Sequence, residues 1–123
     1  AVAYIVGVSE DELRNGINTY TGVYRRFNIH VNTPQVSYID DYAHHPTEIK
    51  AVNQAVRELY PNEKVLAIFQ PHLFSRTRDF IDGFAESLSQ FDEVILLDIY
   101  PARELPIEGV NSNWLLEKIT NNK

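Results

Sequence analysis

The chain has 123 residues, a length that allows one domain with a hydrophobic core and is too short for two independent ones. Apolar residues make up 44% and charged residues 23%, which is typical of a folded globular protein rather than a disordered one. The net charge of −6 argues against nucleic acid as a partner, and the absence of cysteine excludes disulfides and thiolate metal sites.

The predicted elements alternate between helices and strands. The first half of the chain predicts a helix over residues 10–19, extended segments over 24–37 with a turn at 32–34, and a strand over 36–39. The second half predicts a helix from Pro46 to about Tyr60, a strand over 65–69, a helix over 79–88, a strand over 94–97 and a last helix capped by Ser112. Ser9 and Glu12 have the spacing of a capping box, which fixes the start of the first helix. Residues 65–69 and 94–97 are short apolar runs, typical of strands buried on both faces. This order predicts an α/β domain with a mostly parallel sheet.

Polar side chains gather at the three places where a predicted strand is followed by a helix. The clusters are Asp40, Asp41, Tyr42, His44 and His45; then Gln70, His72, Ser75, Arg76 and Arg78; and last Asp98, Tyr100, Arg103 and Glu104. Any one of them is also explained by helix caps and surface ion pairs. In open α/β sheets, however, this edge is the binding edge, so three such clusters favour a ligand site.

The chemistry of the second cluster points to an anionic ligand. Arg76 and Arg78 supply forked donors that fit carboxylates or phosphates, and a following helix start would add backbone N–H groups. The histidines do not predict a metal site, because the adjacent pair His44 and His45 would rarely converge on one ion. The chain contains neither a GxxxxGK[ST] loop nor a GxGxxG turn, so an ATP phosphate cradle is expected on another domain.

The apolar runs are too short for a transmembrane helix, and residues 1–8 lack the basic flank of a signal peptide. The chain therefore has no predicted membrane partner. It also begins without a methionine and in the middle of a pattern, so we expect a fragment of a longer protein.

Four stretches, in order along the chain, resemble the Mur ligases: GVYRRF at 22–27, DDYAHHPTE at 40–48, FQPHLFSRTRDF at 69–80 and YPARELPIEGVNS at 100–112. The resemblance implies a Rossmann-like three-layer C-terminal domain at residues 23–123, incomplete at its end. Residues 1–22 would be the closing helix of the central ATP-binding domain. The resemblance further implies a cytoplasmic enzyme that uses ATP and Mg²⁺ for a ligation in peptidoglycan biosynthesis. The fragment would be inactive without the N-terminal and central domains.

The resemblance also suggests roles for individual residues. Arg26 and Asp41 would bind the nucleotide, and the substrate-binding residues would be Tyr42, His44, His72, Arg76 and Arg78. Among these, His44 and Arg76 would hold the amino-acid carboxylate. Some Mur ligases have arginine where this chain has Leu73, so a second carboxylate-binding arginine is not carried over at that position.

Three alternatives stay open at this point. The segment around His72 favours the family members that join L-alanine to UDP-N-acetylmuramate over the sister ligase that recycles cell-wall tripeptide. A receiver-like phosphorylation module would explain Asp40, Asp41 and Asp98, but it leaves the arginines unexplained. A noncatalytic module that binds a nucleotide sugar is the third. Labelling by acetyl phosphate would identify a receiver, and alanine-dependent ATP hydrolysis restored by the missing domains would identify a ligase.

Overall fold

The computed structural model describes residues 2–121, so residues 1, 122 and 123 of the two predicted domains lie outside the described part. The elements are α1 (Val2–Ile5), α2 (Glu10–Thr19), β1 (Asn28–Asn32), β2 (Ser37–Asp40), α3 (Pro46–Leu59), β3 (Leu66–Phe69), α4 (Phe74–Asp79), α5 (Ile81–Leu88), β4 (Glu93–Leu96) and α6 (Ser112–Lys118). The chain divides into two compact units, Ala1–Tyr42 (unit 1) and Ala43–Lys123 (unit 2), where the length alone suggested one domain. None of the described helices is long and apolar enough to cross a membrane.

Unit 1 consists of two helices and a hairpin. The capping box of α2 is confirmed, because Ser9 Oγ accepts the Glu12 N–H and Glu12 Oε2 accepts the Ser9 N–H. The predicted strand near residues 36–39 is present as β2, but its partner is β1 and the pairing is antiparallel. The reason is local: the Thr33 N–H donates to the Val36 carbonyl at 3.0 Å, and so short a turn can only join antiparallel strands. No described residue of unit 1 is buried.

Unit 2 contains a parallel pair of strands, β3 and β4, with Phe69 opposite Leu96. One face of this pair packs against helices α3, α5 and α6. The shared core contains Ile49, Phe69, Ile81, Phe84, Ala85, Leu88, Phe91, Val94, Leu115 and Ile119. The other face carries Leu66, Ile68, Ile95 and Leu97, which are 46–65% exposed. The prediction that both strands are buried on both faces is therefore wrong for the described chain, since all three core helices pack on the same face.

The helix after Pro46 is confirmed at both ends. His45 is its N-cap and forms a capping box with Glu48. The helix ends at Leu59, where Tyr60 and Pro61 interrupt it.

The helix predicted over residues 79–88 begins earlier and is broken. Helix α4 starts at Phe74, and Phe80 separates it from α5. Arg76 and Arg78 therefore lie within a helix and not in a loop before one. Phe80 is 44% exposed, whereas Ile81 and Phe84 of α5 are buried.

The last helix also begins differently from the prediction. Its N-cap is Asn111, whose Oδ1 accepts the Trp114 N–H at 2.9 Å. Ser112, the predicted cap, is the first helical residue, and its hydroxyl donates to the Leu97 carbonyl instead.

Candidate functional site

In unit 1, a turn over residues 23–27 is tied to the end of β2. The Phe27 N–H donates to Asp41 Oδ2 at 2.8 Å, and the Tyr42 N–H donates to the Arg25 carbonyl at 2.8 Å. Arg25 and Phe27 have φ angles of 58° and 50°, in the left-handed region that residues with a Cβ seldom adopt. Asp41 therefore helps to hold a strained turn, and backbone strain of this kind concentrates at functional sites.

The same turn places two arginines beside Tyr42. The guanidinium carbons of Arg25 and Arg26 lie 5.2 and 5.8 Å from the centre of the Tyr42 ring, within the range of cation–π attraction. Arg25 also approaches Asp40, with Nε 3.7 Å from Oδ2. Arg25, and not Arg26, is thus the arginine of this turn that pairs with Asp40. Unit 1 brings together three predicted site residues, Arg26, Asp41 and Tyr42, which we call the unit 1 cluster.

In unit 2, the loops that follow β3 and β4 are joined by backbone hydrogen bonds. His72 and Tyr100 form an isolated parallel bridge. The Leu73 N–H donates to the Tyr100 carbonyl at 2.9 Å, and the Tyr100 N–H donates to the Pro71 carbonyl at 2.8 Å. The rings of His72 and Tyr100 stack, with their centres 5.4 Å apart. The second and third polar clusters of the sequence therefore meet at the carboxyl ends of the strands, as predicted.

The surroundings of His72 disfavour its charged form. Partial burial lowers its pKa, and the charges of Arg76 and His44 lower it further, while Glu104 has the opposite effect. At neutral pH its imidazole is consequently uncharged. Within the described residues, the buried His72 Nδ1 has no hydrogen-bond partner. His44 lies at the start of α3, where its backbone N–H donates to Glu48 Oε2 at 2.9 Å.

The two arginines of α4 differ in what they contact. Arg78 is exposed, and its Nε donates to Asp79 Oδ1 at 2.8 Å. The half-buried Arg76 makes no side-chain hydrogen bond or ion pair within residues 2–121. Arg76 is thus the arginine whose guanidinium is available to a ligand. His44, His72 and Arg76 form the strand-end cluster of unit 2.

Glu104, which the sequence analysis placed in the third polar cluster without a site role, completes this region. Glu104 accepts hydrogen bonds from the Ser75 N–H, at 3.0 Å, and from the Ser75 hydroxyl. These bonds, an additional one from the Phe74 N–H and the charge of Arg76 keep the pKa of Glu104 below its usual value, although desolvation opposes them. The helix start predicted to bind an external anion is therefore satisfied by the chain's own carboxylate. The available signal was the position of Glu104 in the third polar cluster.

The described residues hold no evident metal site. Within residues 2–121, no three His, Asp or Glu side chains are grouped so that they could bind an ion, so we assign no magnesium ligand here. Two open depressions, of about 360 and 470 Å³, lie elsewhere on unit 2. The first is lined by Asp82, Ala85, Glu86, Ser89, Lys118 and Thr120. The second is lined by Arg57, Pro61, Asn62, Glu63, Lys64 and Asp92. Neither contains a residue of the two clusters.

A parallel strand pair with polar strand-end loops is the arrangement of the open α/β sheets, a class of proteins in which ligands bind at the carboxyl edge of the sheet. The family model described as "Mur ligase, glutamate ligase domain" matches residues 25–123. The chain therefore belongs to the Mur ligase family. This membership removes the receiver-like module from consideration.

Similar proteins of known name cover nearly the whole chain. UDP-N-acetylmuramate–L-alanine ligases from Flavobacterium psychrophilum and Flavobacterium johnsoniae are 64% and 65% identical over 121 residues, which is 98% of this chain. The chain spans 27% of the length of each. A crystal structure of UDP-N-acetylmuramate-alanine ligase MurC from Thermotoga maritima matches 80% of this chain and 22% of its own, with 34% identity and a TM-score of 0.65. A murein peptide ligase from Psychrobacter arcticus matches 76% of this chain and 20% of its own, with 26% identity and a TM-score of 0.56.

Proposed function

We propose that this chain is the C-terminal part of an ATP-dependent ligase that joins L-alanine to UDP-N-acetylmuramate during peptidoglycan biosynthesis in the cytoplasm. The relatives named for that reaction, at up to 65% identity, support this proposal. Residues 1–22 would close the central ATP-binding domain and residues 23–123 would form the C-terminal domain. The start of the family match at residue 25 supports that boundary.

The observation that carries the proposal is the half-buried Arg76, whose guanidinium makes no ion pair within the described chain. A planar guanidinium can bind a carboxylate through two parallel hydrogen bonds. Arg76, with His44 beside the uncharged His72, would hold the carboxylate of L-alanine and leave its amine to react. His72 is suited to border this site, because an uncharged ring does not compete with Arg76 for the carboxylate.

In the proposed reaction, ATP phosphorylates the carboxylate of UDP-N-acetylmuramate, and the alanine amine attacks the resulting acyl phosphate. The amide forms as phosphate leaves. Negative charge accumulates on the acyl phosphate and on the tetrahedral intermediate, and fixed cations in a site with little water stabilise such species best. The contribution of this chain would be to position the amine and to supply positive charge near the reacting atoms.

The unit 1 cluster would bind the nucleotide. Arg26 offers an exposed cation, and Asp41 offers acceptors for ribose hydroxyls. Tyr42 would border the bound substrates from the same cluster.

The phosphates of ATP and the magnesium ion would be held by the other domains of the ligase. This chain has no phosphate-loop motif, and residues 2–121 contain no group of three His, Asp or Glu side chains that could hold a metal ion. We therefore expect the 123-residue chain by itself to hydrolyse no ATP when L-alanine is added.

The ligase that recycles cell-wall tripeptide is a second candidate. The structural match to the murein peptide ligase supports it, with a TM-score of 0.56 against 0.65 for the L-alanine ligase. Rates with L-alanine and with a cell-wall tripeptide as acceptors, measured on the intact enzyme, distinguish the two. A higher kcat/KM for tripeptide would replace the first assignment by the second.

Replacing Arg76 with alanine in the intact ligase tests the proposed site. The loss of a charge-assisted bidentate contact costs about 1.5 to 3 kcal/mol, so KM for L-alanine should rise roughly tenfold to a hundredfold. KM for ATP should change far less. Arg78→Ala is the matched control, because Arg78 already pairs with Asp79. Equal increases in both KM values for Arg76→Ala would refute the assignment.

A further inference from the structure

We infer that Glu104 is a positioning residue for L-alanine binding, because it fixes the start of helix α4 and thereby the position of Arg76. This inference rests on the proposed function and extends it to a residue that would not touch the substrate. It follows from the contacts that join the loop after β4 to the loop after β3.

Glu104 contacts the start of helix α4 directly. Glu104 lies 29 residues after Ser75 in the chain, yet its two carboxylate oxygens accept the Ser75 N–H and the Ser75 hydroxyl. Ser75 is the residue directly before Arg76. The backbone from which the Arg76 side chain projects is therefore anchored at its amino-terminal side by a carboxylate from another loop.

The start of α4 needs such an anchor because its own N-cap residue does not supply one. Leu73, the N-cap of α4, has a φ angle of 74° and provides no side-chain cap. A leucine in the left-handed region is strained, and such a conformation persists only where its surroundings enforce it. The first-turn N–H groups of a helix also require acceptors. Glu104 supplies the missing acceptor for Ser75.

The hydrogen bonds around this loop form one connected frame. The Leu73 N–H donates to the Tyr100 carbonyl at 2.9 Å. The fully buried Thr77 donates two hydrogen bonds to the Leu73 carbonyl, one from its N–H at 3.1 Å and one from its hydroxyl at 2.8 Å. Glu104 extends this frame by one more loop contact. His72 and Arg76 lie on the two sides of the strained residue, so a shift at Leu73 would move both.

Charge and position predict opposite effects, and this makes the inference testable. As a nearby negative charge, Glu104 opposes the binding of a substrate carboxylate, so its removal alone should lower KM for L-alanine. As an anchor of Arg76, it favours binding, so its removal should raise that KM. We expect the positioning effect to dominate.

The experiment uses the intact ligase and four variants: Glu104→Gln, Arg76→Ala, the double variant and Glu108→Gln. The glutamine keeps an acceptor for Ser75 but loses the charge-assisted bonds, which are about twice as strong as neutral ones. Glu104→Gln should raise KM for L-alanine roughly three- to tenfold and leave KM for ATP within about twofold. Glu108→Gln removes the same charge at an exposed position in the same loop, so this variant should have the KM values of the wild type.

The double variant shows whether Glu104 acts through Arg76. If it does, adding Glu104→Gln to Arg76→Ala should change KM for L-alanine by less than about twofold, because coupled residues are not additive. Full additivity, an equal rise in both KM values, or a fall in KM for L-alanine with Glu104→Gln would each overturn the inference. If Arg76→Ala itself leaves KM for L-alanine unchanged, the proposed function fails instead.

Discussion

The turn over residues 23–27 in unit 1 and the strand-end loops of unit 2 hold their candidate residues in different ways. The turn belongs to a unit without a buried residue in its described part, and it is tied by backbone bonds and the carboxylate of Asp41. The strand-end loops rise from strands that pack on a core containing the fully buried Phe84 and Leu115. The proposed alanine site is therefore held by polar contacts between loops that stand on a packed core, whereas the proposed nucleotide site depends on polar contacts alone.

The largest expected effect comes from the core. Phe84→Ala should lower the free energy of unfolding by about 3 to 5 kcal/mol, because it removes a large side chain that no solvent reaches. Ile17→Ala in unit 1 should cost at most about 0.5 kcal/mol, since Ile17 is 74% exposed. Urea unfolding of this chain followed by circular dichroism measures both. Equal losses of unfolding free energy for the two variants would contradict the contrast between a packed unit 2 and a unit 1 without buried residues.

The next effect concerns the nucleotide. Arg26→Ala in the intact ligase should raise KM for ATP roughly tenfold and leave KM for L-alanine within about twofold, the reverse of Arg76→Ala. Steady-state kinetics with each substrate varied in turn provides the test. Arg25→Ala is the comparison variant, because Arg25 approaches Asp40 while Arg26 does not. A rise in KM for L-alanine with Arg26→Ala would contradict the separate assignments.

A smaller effect is expected at the carboxylate that ties the turn. Asp41→Ala removes the acceptor of the Phe27 N–H, a contact whose loss should cost about 1 kcal/mol of local stability. Exchange of the Phe27 amide hydrogen should then become roughly fivefold faster. Amides within β3 should exchange at the wild-type rate. Protection of Phe27 that survives the substitution would show that backbone bonds alone hold the turn.

The smallest effect is a pH dependence within unit 2. The Val65 N–H, 2.7 Å from Asp92 Oδ2, and the Arg57 guanidinium, at 2.8 Å, hold the pKa of Asp92 below its ordinary value. A lowered carboxyl pKa contributes stability above the pKa of the unfolded chain and loses it as pH falls through the folded value. Thermal unfolding of Asp92→Asn should therefore show a weaker loss of stability below about pH 4 than the wild type.

The control for this pH effect is Asp82→Asn. Asp82 pairs with Lys118 but its side chain is 85% exposed, and ion pairs at such positions contribute little. Its unfolding profile should follow that of the wild type. If Asp82→Asn and Asp92→Asn reduce the loss of stability at low pH equally, the removal of a negative charge in general, and not the contact with Val65, is responsible.

The sequence by itself determined the elements whose causes are local. A capping box begins α2, and the motif from His45 to Glu48 begins α3. The apolar runs at 65–69 and 94–97 correctly predicted β3 and β4, and the polar residues after them correctly predicted where side chains would gather. Hydrogen bonds over three or four residues and patterns of apolar residues are visible in a linear chain, so these features could be predicted.

Only the tertiary structure decided the features that depend on distant residues. The start of α4 lies at Phe74 because contacts from Tyr100 and Glu104, more than 25 residues away in sequence, support a strained Leu73 there. The pairing of β2 with β1 and the burial of only one face of β3 and β4 likewise depend on which elements meet. No local propensity encodes the partner that a backbone N–H, a carboxylate or an apolar face will find.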